Sequence, residues 1–136
     1  MNTGMYKVYD NENKKWITDE CMVDPDGTVY SVIHKNFGRP KLEVIHTTLS
    51  SKENDNPRFI IYRSIYLTDK AGNMIFEGNV VRNKDGKVGF IHYSTELASN
   101  VFIDVQENKV YPLNEEMCKQ MKILGNVIDD VELLYM

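Results

Sequence analysis

The amino-acid sequence predicts a mainly β protein, and three observations carry the prediction. Short apolar runs rich in Val, Ile, Tyr and Phe recur along the chain, separated by Gly, Asp, Asn and Pro at the spacing of hairpin turns. The pattern is densest from Tyr66 to Tyr93, where three turn signals (Asp69 to Asn73, Gly78, and Lys84-Asp85-Gly86) divide the apolar segments. Only one helix longer than a single turn is expected, after Asn114. Strands are expected near 74–83, 87–93, 101–105, 109–113 and 122–128, which suffice for a small SH3-like barrel with one short helix behind an N-terminal β-hairpin lobe.

The elements follow in chain order. Met5-Tyr6-Lys7-Val8-Tyr9 alternates, turns at Asp10 to Asn13, and resumes at Lys15-Trp16-Ile17, which makes a hairpin anchored by the single tryptophan. Cys21 to Val23 and Thr28 to Ile33 flank Asp24-Pro25-Asp26-Gly27, where proline sets φ and glycine supplies a positive φ, a second hairpin. Leu42 to His46 is a strand, and Ser50 to Pro57 is the most loop-like stretch of the chain. It divides an N-terminal lobe, 1–57, from a C-terminal barrel, 58–136, within one domain. Phe59 to Leu67 is β-branched and aromatic and too apolar for a solvent edge. Ser94 to Asn100 reads as a connection with one helical turn, and Pro112 ends the strand after the Gln106-Glu107-Asn108 turn. Asn114 then caps a helix of about two turns, with Glu115 and Glu116 at its positive end and Met117 and Met121 on one face. Gly125-Asn126 interrupts the last strand, where a bulge or close backbone approach is expected.

Composition bounds the function. At 136 residues, with 42% hydrophobic, 26% charged and 10% aromatic side chains, the chain is one globular domain in length. Its net charge is −4, and the excess acid is C-terminal: residues 1–68 carry nine basic and nine acidic side chains, residues 69–136 seven and eleven. That balance argues against a phosphate-backbone binder and against an anionic membrane surface. No apolar run reaches the length of a membrane span and no export signal opens the chain, so a cytoplasmic location is expected, with Cys21 and Cys118 as free thiols.

Candidate chemistry is sparse. His34, His46 and His92 lack metal-ligand or catalytic spacing, and no serine sits in a G-x-S-x-G elbow. Asp24-x-Asp26 fails as a calcium loop because Val29 and Lys35 hold the glycine and glutamate positions. An Asp69/Glu77 carboxylate pair would need partners that the sequence does not offer. No enzyme, cofactor or metal site is expected. The stretch His34 to Lys41 is basic with one aromatic, so Lys35, Phe37, Arg39 and Lys41 are the candidate contacts of an alternative, nucleic-acid-binding reading. A solvated polar loop has the same composition and is the favoured reading.

Three segments together resemble the YopX-like family of phage and prophage proteins, for which no activity is established. The opening Tyr6-Lys7-Val8-Tyr9-Asp10 with Lys15-Trp16-Ile17 is similar to the family's start. Leu67 to Val81 resembles its run GLxDKNGKEIYEGDIV, and Lys122 to Leu134 its closing run EVIGNIYENPELL. Asn79 stands where the family has aspartate, and Asp130-Val131 replaces Asn-Pro. The resemblance implies a mainly β fold, a phage-derived origin and a homo-oligomer, and it supplies no catalytic residue. The motif residues Asp69, Gly72, Glu77, Gly78, Asn79, Gly125 and Asn126 are expected to shape turns. The function expected is a small non-catalytic interaction or assembly module that binds itself and one unidentified host or phage protein. The apolar tail Val131, Leu133, Leu134, Tyr135 and Met136 must be covered either by such a partner or by the chain itself.

Overall fold

The computed structural model describes the backbone of residues 6–17, 21–23, 29–33, 41–46 and 59–136, with side chains for 6–17 and 59–136. The turn expected at Asp24 to Gly27, the basic stretch 34–40 and the loop-like stretch 50–57 lie outside the described residues. The chain separates into two compact units, Met1–Tyr62 and Arg63–Met136.

In the first unit, β1 (Tyr6–Asp10) and β2 (Lys15–Trp16) form the expected hairpin, in register Tyr9 with Trp16 and Asp10 with Lys15. The buried Asp10 carboxylate closes the turn: Oδ1 accepts the amides of Glu12 (3.0 Å) and Asn13 (3.2 Å), and Lys14 takes a positive φ of 54°. Trp16 packs edge-on against Tyr9 at 5.1 Å and tilted against Tyr62 at 5.6 Å. A second, three-stranded antiparallel sheet runs β3 (Cys21–Val23), β4 (Val29–Ile33), β5 (Lys41–His46).

Strand β6 (Phe59–Thr68) crosses from one unit into the other. Its second part pairs with β7 (Met74–Phe76) through Ser64–Phe76 and Thr68–Met74, so that Ile65, Tyr66 and Leu67 face Ile75 alone. The surplus residues are absorbed at Tyr66, which adopts φ 62° while Ser64 Oγ accepts its amide at 3.0 Å. Ile65 and Leu67 thereby both reach the core, and the Tyr66 ring is left 65% exposed. The remaining strands, β8 (Asn79–Arg82), β9 (Val88–Ser94), β10 (Ser99–Asp104), β11 (Lys109–Pro112) and β12 (Lys122–Asn126), build one antiparallel sheet in the order β11-β10-β9-β8-β12. The architecture is mainly β, as the sequence predicts. The described ladders in this unit are that sheet and the β6–β7 pair, and an SH3-like closure is not read from them.

One face of the five-stranded sheet presents Val81, Ile91 and Phe102 to Ile65, Ile75, Cys118 and Met121, a cluster whose large apolar members each stabilise the fold by roughly 1.5–3 kcal/mol. Gly89 in β9 is required there, because a Cβ would stand 2.2 Å from the Ile103 carbonyl oxygen and 2.7 Å from the Phe102 ring.

Two local expectations are corrected. Between β9 and β10 there is no helical turn: Ser94 pairs directly with Ser99, Ser94 Oγ accepts the Leu97 amide at 3.1 Å, and Ala98 at φ 52° reverses the chain. The helix α1 (Glu115–Cys118) has one turn instead of two. Asn114 caps it as expected, but Gln120 and Met121 already bond to carbonyls three residues back, and Lys122 enters β12 opposite Arg82. The tail closes as a 3-10 helix, Val131–Tyr135, which folds back against β8 and β9 and buries Leu134. Gln106 Nε2 donates to the carbonyls of Leu134 and Met136.

Candidate functional site

Strand β12 returns to the sheet after a long excursion, and the motif residues gather where it lands. Asp69 directly follows β6 and is 4% exposed. Its Oδ1 accepts the amides of Ala71 (2.9 Å) and Asn73 (2.8 Å), closing the turn in which Gly72 takes φ 84°. Its Oδ2 accepts the amide of Ile123 in β12 at 3.3 Å, and the adjacent Lys70 amide donates to the Met121 carbonyl at 3.0 Å. One carboxylate thus shapes a local turn and holds a strand 54 residues away.

The second junction is the bend between β7 and β8. Gly78, at φ 82°, donates its amide to the Ile91 carbonyl (2.7 Å) and accepts from the Val127 amide (2.8 Å), so the bend is tied to β9 on one side and to the end of β12 on the other. Asn79 is 5% exposed; its Oδ1 accepts the Phe76 amide at 2.7 Å and its Nδ2 donates to the Gly125 carbonyl at 3.4 Å. An aspartate, the residue of the resembling motif, could keep the first of these bonds but, ionised, could not make the second.

Across from it, Asn126 Oδ1 accepts the amides of Ile128 (3.0 Å) and Asp129 (2.9 Å), and the Asn126 amide donates to Asp130 Oδ2 at 3.1 Å. The Asp130 carboxylate fills the space over Gly125, where a Cβ would meet Oδ2 at 2.0 Å. Asp130, read from the sequence only as a departure from the family pattern, is therefore the group that requires glycine at 125.

Glu77 differs from these. Its amide donates to the Arg63 carbonyl at 2.8 Å, and its half-buried side chain lies near Arg63 and His92. Burial pushes its carboxyl above the ordinary carboxylate value, against the smaller opposing pull of the Arg63 amide, the Arg63 guanidinium and His92. Asp69 and Glu77 do not act as a pair: the structure commits Asp69 to three backbone amides and gives Glu77 a separate, basic neighbourhood. Burial likewise pushes the Cys118 thiol up, which suppresses its thiolate. Asp104, 2% exposed, accepts the Glu107 amide through Oδ1 (3.2 Å), while its Oδ2 and Asn100 Oδ1 are buried without a hydrogen-bond partner.

Of the nucleic-acid candidates, Lys35, Phe37 and Arg39 lie outside the described residues, and Lys41 is placed only by its backbone as the first residue of β5. Among the described residues no group of three or more His, Cys, Asp or Glu side chains could hold a metal ion, and no helix is long and apolar enough to cross a membrane. The residues that sequence reasoning missed are Gly89, Ser64 with Tyr66, and Asn83, whose Oδ1 accepts the amides of Asp85 and Lys87.

The family model for the YopX protein matches residues 5–135. The chain belongs to the YopX family. The crystal structure of protein yopX from Bacillus subtilis is similar to this family member at a TM-score of 0.58 and 17% identity, covering 98% of both chains. That of protein EF1440 from Enterococcus faecalis is similar at 0.54 and 18% identity, covering 96% of both. At those identities the likeness establishes the fold. No match was found among the curated proteins.

Proposed function

We propose that this chain is a small, non-catalytic interaction or assembly module of phage or prophage origin, working in the cytoplasm of a bacterial host and binding both itself and one host or phage protein. The observation that carries the reading is the use made of the motif's polar groups. Asp69 and Asn126, and Asn79 and Asp130 at the two positions where this chain departs from the family pattern, direct their hydrogen bonds to backbone groups of turns and of β12, so the polar groups of these segments brace a scaffold in place of forming a converging set of reactive groups. The tail adds surface for association: Leu134 is buried, whereas Val131, Tyr135 and Met136 remain exposed.

Light scattering on the intact protein and on a Tyr135→Ser/Met136→Ser variant tests it. An oligomer that the substitutions dissociate supports assembly through the tail. A monomer in both refutes self-association, and affinity capture from phage-infected cells that retains no protein refutes the partner.

A further inference from the structure

The second unit, residues 63–136, carries eight basic and eleven acidic side chains, and most of its cations stand beside acids. Lys87 and Lys109 pair with Glu107, Lys119 pairs with Glu115, and Arg63 lies near Glu77. Lys84 shares the surface beside α1 with Asp85 and Glu116. Three cations are left together where β12 begins. Arg82 of β8 and Lys122 of β12 are direct cross-strand partners. Their neighbours Val81 and Ile123 pack into the core cluster, so the two cations stand on the opposite face of the sheet with their Cβ atoms about 5 Å apart. Lys70 is tied to the same end of β12 through its amide, which donates to the Met121 carbonyl at 3.0 Å. All three side chains are exposed, and none has an ion-pair partner among the described residues. Asp69, the acid next to Lys70, has both carboxylate oxygens on backbone amides, and Glu132 of the 3-10 helix that packs against β8 pairs with neither Arg82 nor Lys122. Like charges directly opposite each other on a sheet repel, and an anion seated between them turns that repulsion into attraction.

We propose that Arg82 and Lys122, with Lys70 as a third charge, form a binding site for a compact phosphate dianion, free or as the monoester group of a small molecule. The Arg82 guanidinium supplies a planar fork of N–H donors that matches two phosphate oxygens, and the lysine ammoniums act as point charges beside it. A phosphate monoester carries about 1.5 to 2 negative charges at neutral pH, which matches the two charges of the opposed pair. The rest of the unit selects a compact ion over a polyanion, because a nucleic-acid strand would have to run on across a surface that holds eleven carboxylates. The site goes beyond the interaction reading and does not depend on it.

The test follows the backbone amide chemical shifts of the isotope-labelled protein at neutral pH during titration with inorganic phosphate, with adenosine monophosphate, and with sodium chloride at matched ionic strength. Saturable shifts at Lys70, Arg82 and Lys122 with a phosphate species, absent with chloride, are expected, and the species that saturates first identifies the source. Arg82→Gln and Lys122→Gln should each weaken binding by roughly two- to fivefold, and the double variant should lose saturation. Both positions are exposed, so the fold is retained. In low-salt buffer without phosphate the Lys122→Gln protein should melt no lower than the native one, since it relieves the opposed charges. Shifts that chloride reproduces mean an adventitious ion only and overturn the site. So do shifts confined to other residues, an affinity unmoved by the substitutions, or a lower melting temperature for phosphate-free Lys122→Gln, which would give that lysine a structural partner. An oligonucleotide that saturates the same amides at a lower phosphate concentration than the mononucleotide overturns the compact ion in favour of a nucleic-acid backbone. A protein that binds no phosphate yet associates by light scattering loses this site alone.

Discussion

Asp69→Asn separates the two tasks of one carboxylate. The substituted side chain keeps an oxygen for the Ala71 and Asn73 amides and places an amide group where Oδ2 receives the Ile123 N–H. A donor then faces a donor in a site that is 4% exposed in the native protein. Flipping the side chain is worse, because it sets the new amide group against two turn amides. The loss is one hydrogen bond to a charged acceptor together with a partly buried N–H left unpaired, about 1–3 kcal/mol, which lowers the melting temperature by roughly 4–12 °C for a chain of this size. Urea unfolding should show a lower midpoint with an unchanged m-value, since the surface exposed on unfolding is the same. Amide hydrogen exchange supplies the local reading: protection at Ile123 should fall more than at Ala71 and Asn73. A loss below about 0.5 kcal/mol, within the range of an inert surface substitution, or unchanged exchange at Ile123, would refute the claim that this carboxylate holds β12.

Three further outcomes follow from the geometry. Gly125→Ala should destabilise by about 1–3 kcal/mol because its Cβ collides with Asp130, and the penalty should shrink in an Asp130→Ala background; additive effects in the double-mutant cycle would contradict the contact. Glu77→Gln should raise stability at neutral pH by well under about 1 kcal/mol, given solvent screening. Its folded-state carboxyl lies above the unfolded value, so the charge penalises the native state above the folded pKa and the penalty fades as pH falls through it. The advantage of the glutamine variant should therefore shrink toward about pH 4, and parallel stability curves for the two proteins would count against it. In a Cys21→Ser protein, Cys118 should resist a thiol reagent at neutral pH and react fully in urea; rapid native-state labelling would mean that the thiol is not buried as described.

Much of the second unit was legible because its turns are spelled locally. Asp69 and Asn114 accept amides within four residues of themselves, and Gly72 donates to the Asp69 carbonyl, so a sequence window contains both partners. What lay outside any window stayed hidden. The bonds from Asp69 to Ile123 and from Asn79 to Gly125 join positions 54 and 46 residues apart, and the need for glycine at 125 arises from a side chain folded over it. Tyr66 sits in an apolar run that reads as an uninterrupted strand, and its positive φ is imposed by tertiary demand, since Ile65 and Leu67 must both reach the core opposite a single β7 residue. The helix was overestimated because cap, acidic first turn and methionine spacing are all genuine, while the pairing of Lys122 with Arg82 that truncates it is nonlocal. Glu77 was placed correctly at the bend, but its basic neighbours Arg63 and His92 come from other strands.

The attachment of β12 has a consequence for synthesis on the ribosome. Translation is vectorial, and at roughly 5–20 residues per second the 54 residues between Asp69 and Ile123 take about 3–10 s to appear. Throughout that interval Asp69 can already close its own turn, and β8 and β9 can zip into a hairpin, yet the outer edge of β8 has no neighbour. An unpaired apolar edge carrying Val80 and Val81 is a template for the wrong chain. On a polysome, where nascent copies of the same sequence lie side by side, a sister chain's β12 competes with the chain's own for that edge. Exchange of β12 between neighbours would satisfy every bond described here for Asp69, Gly78 and Asn79, and it would give two polypeptides one interlocked sheet.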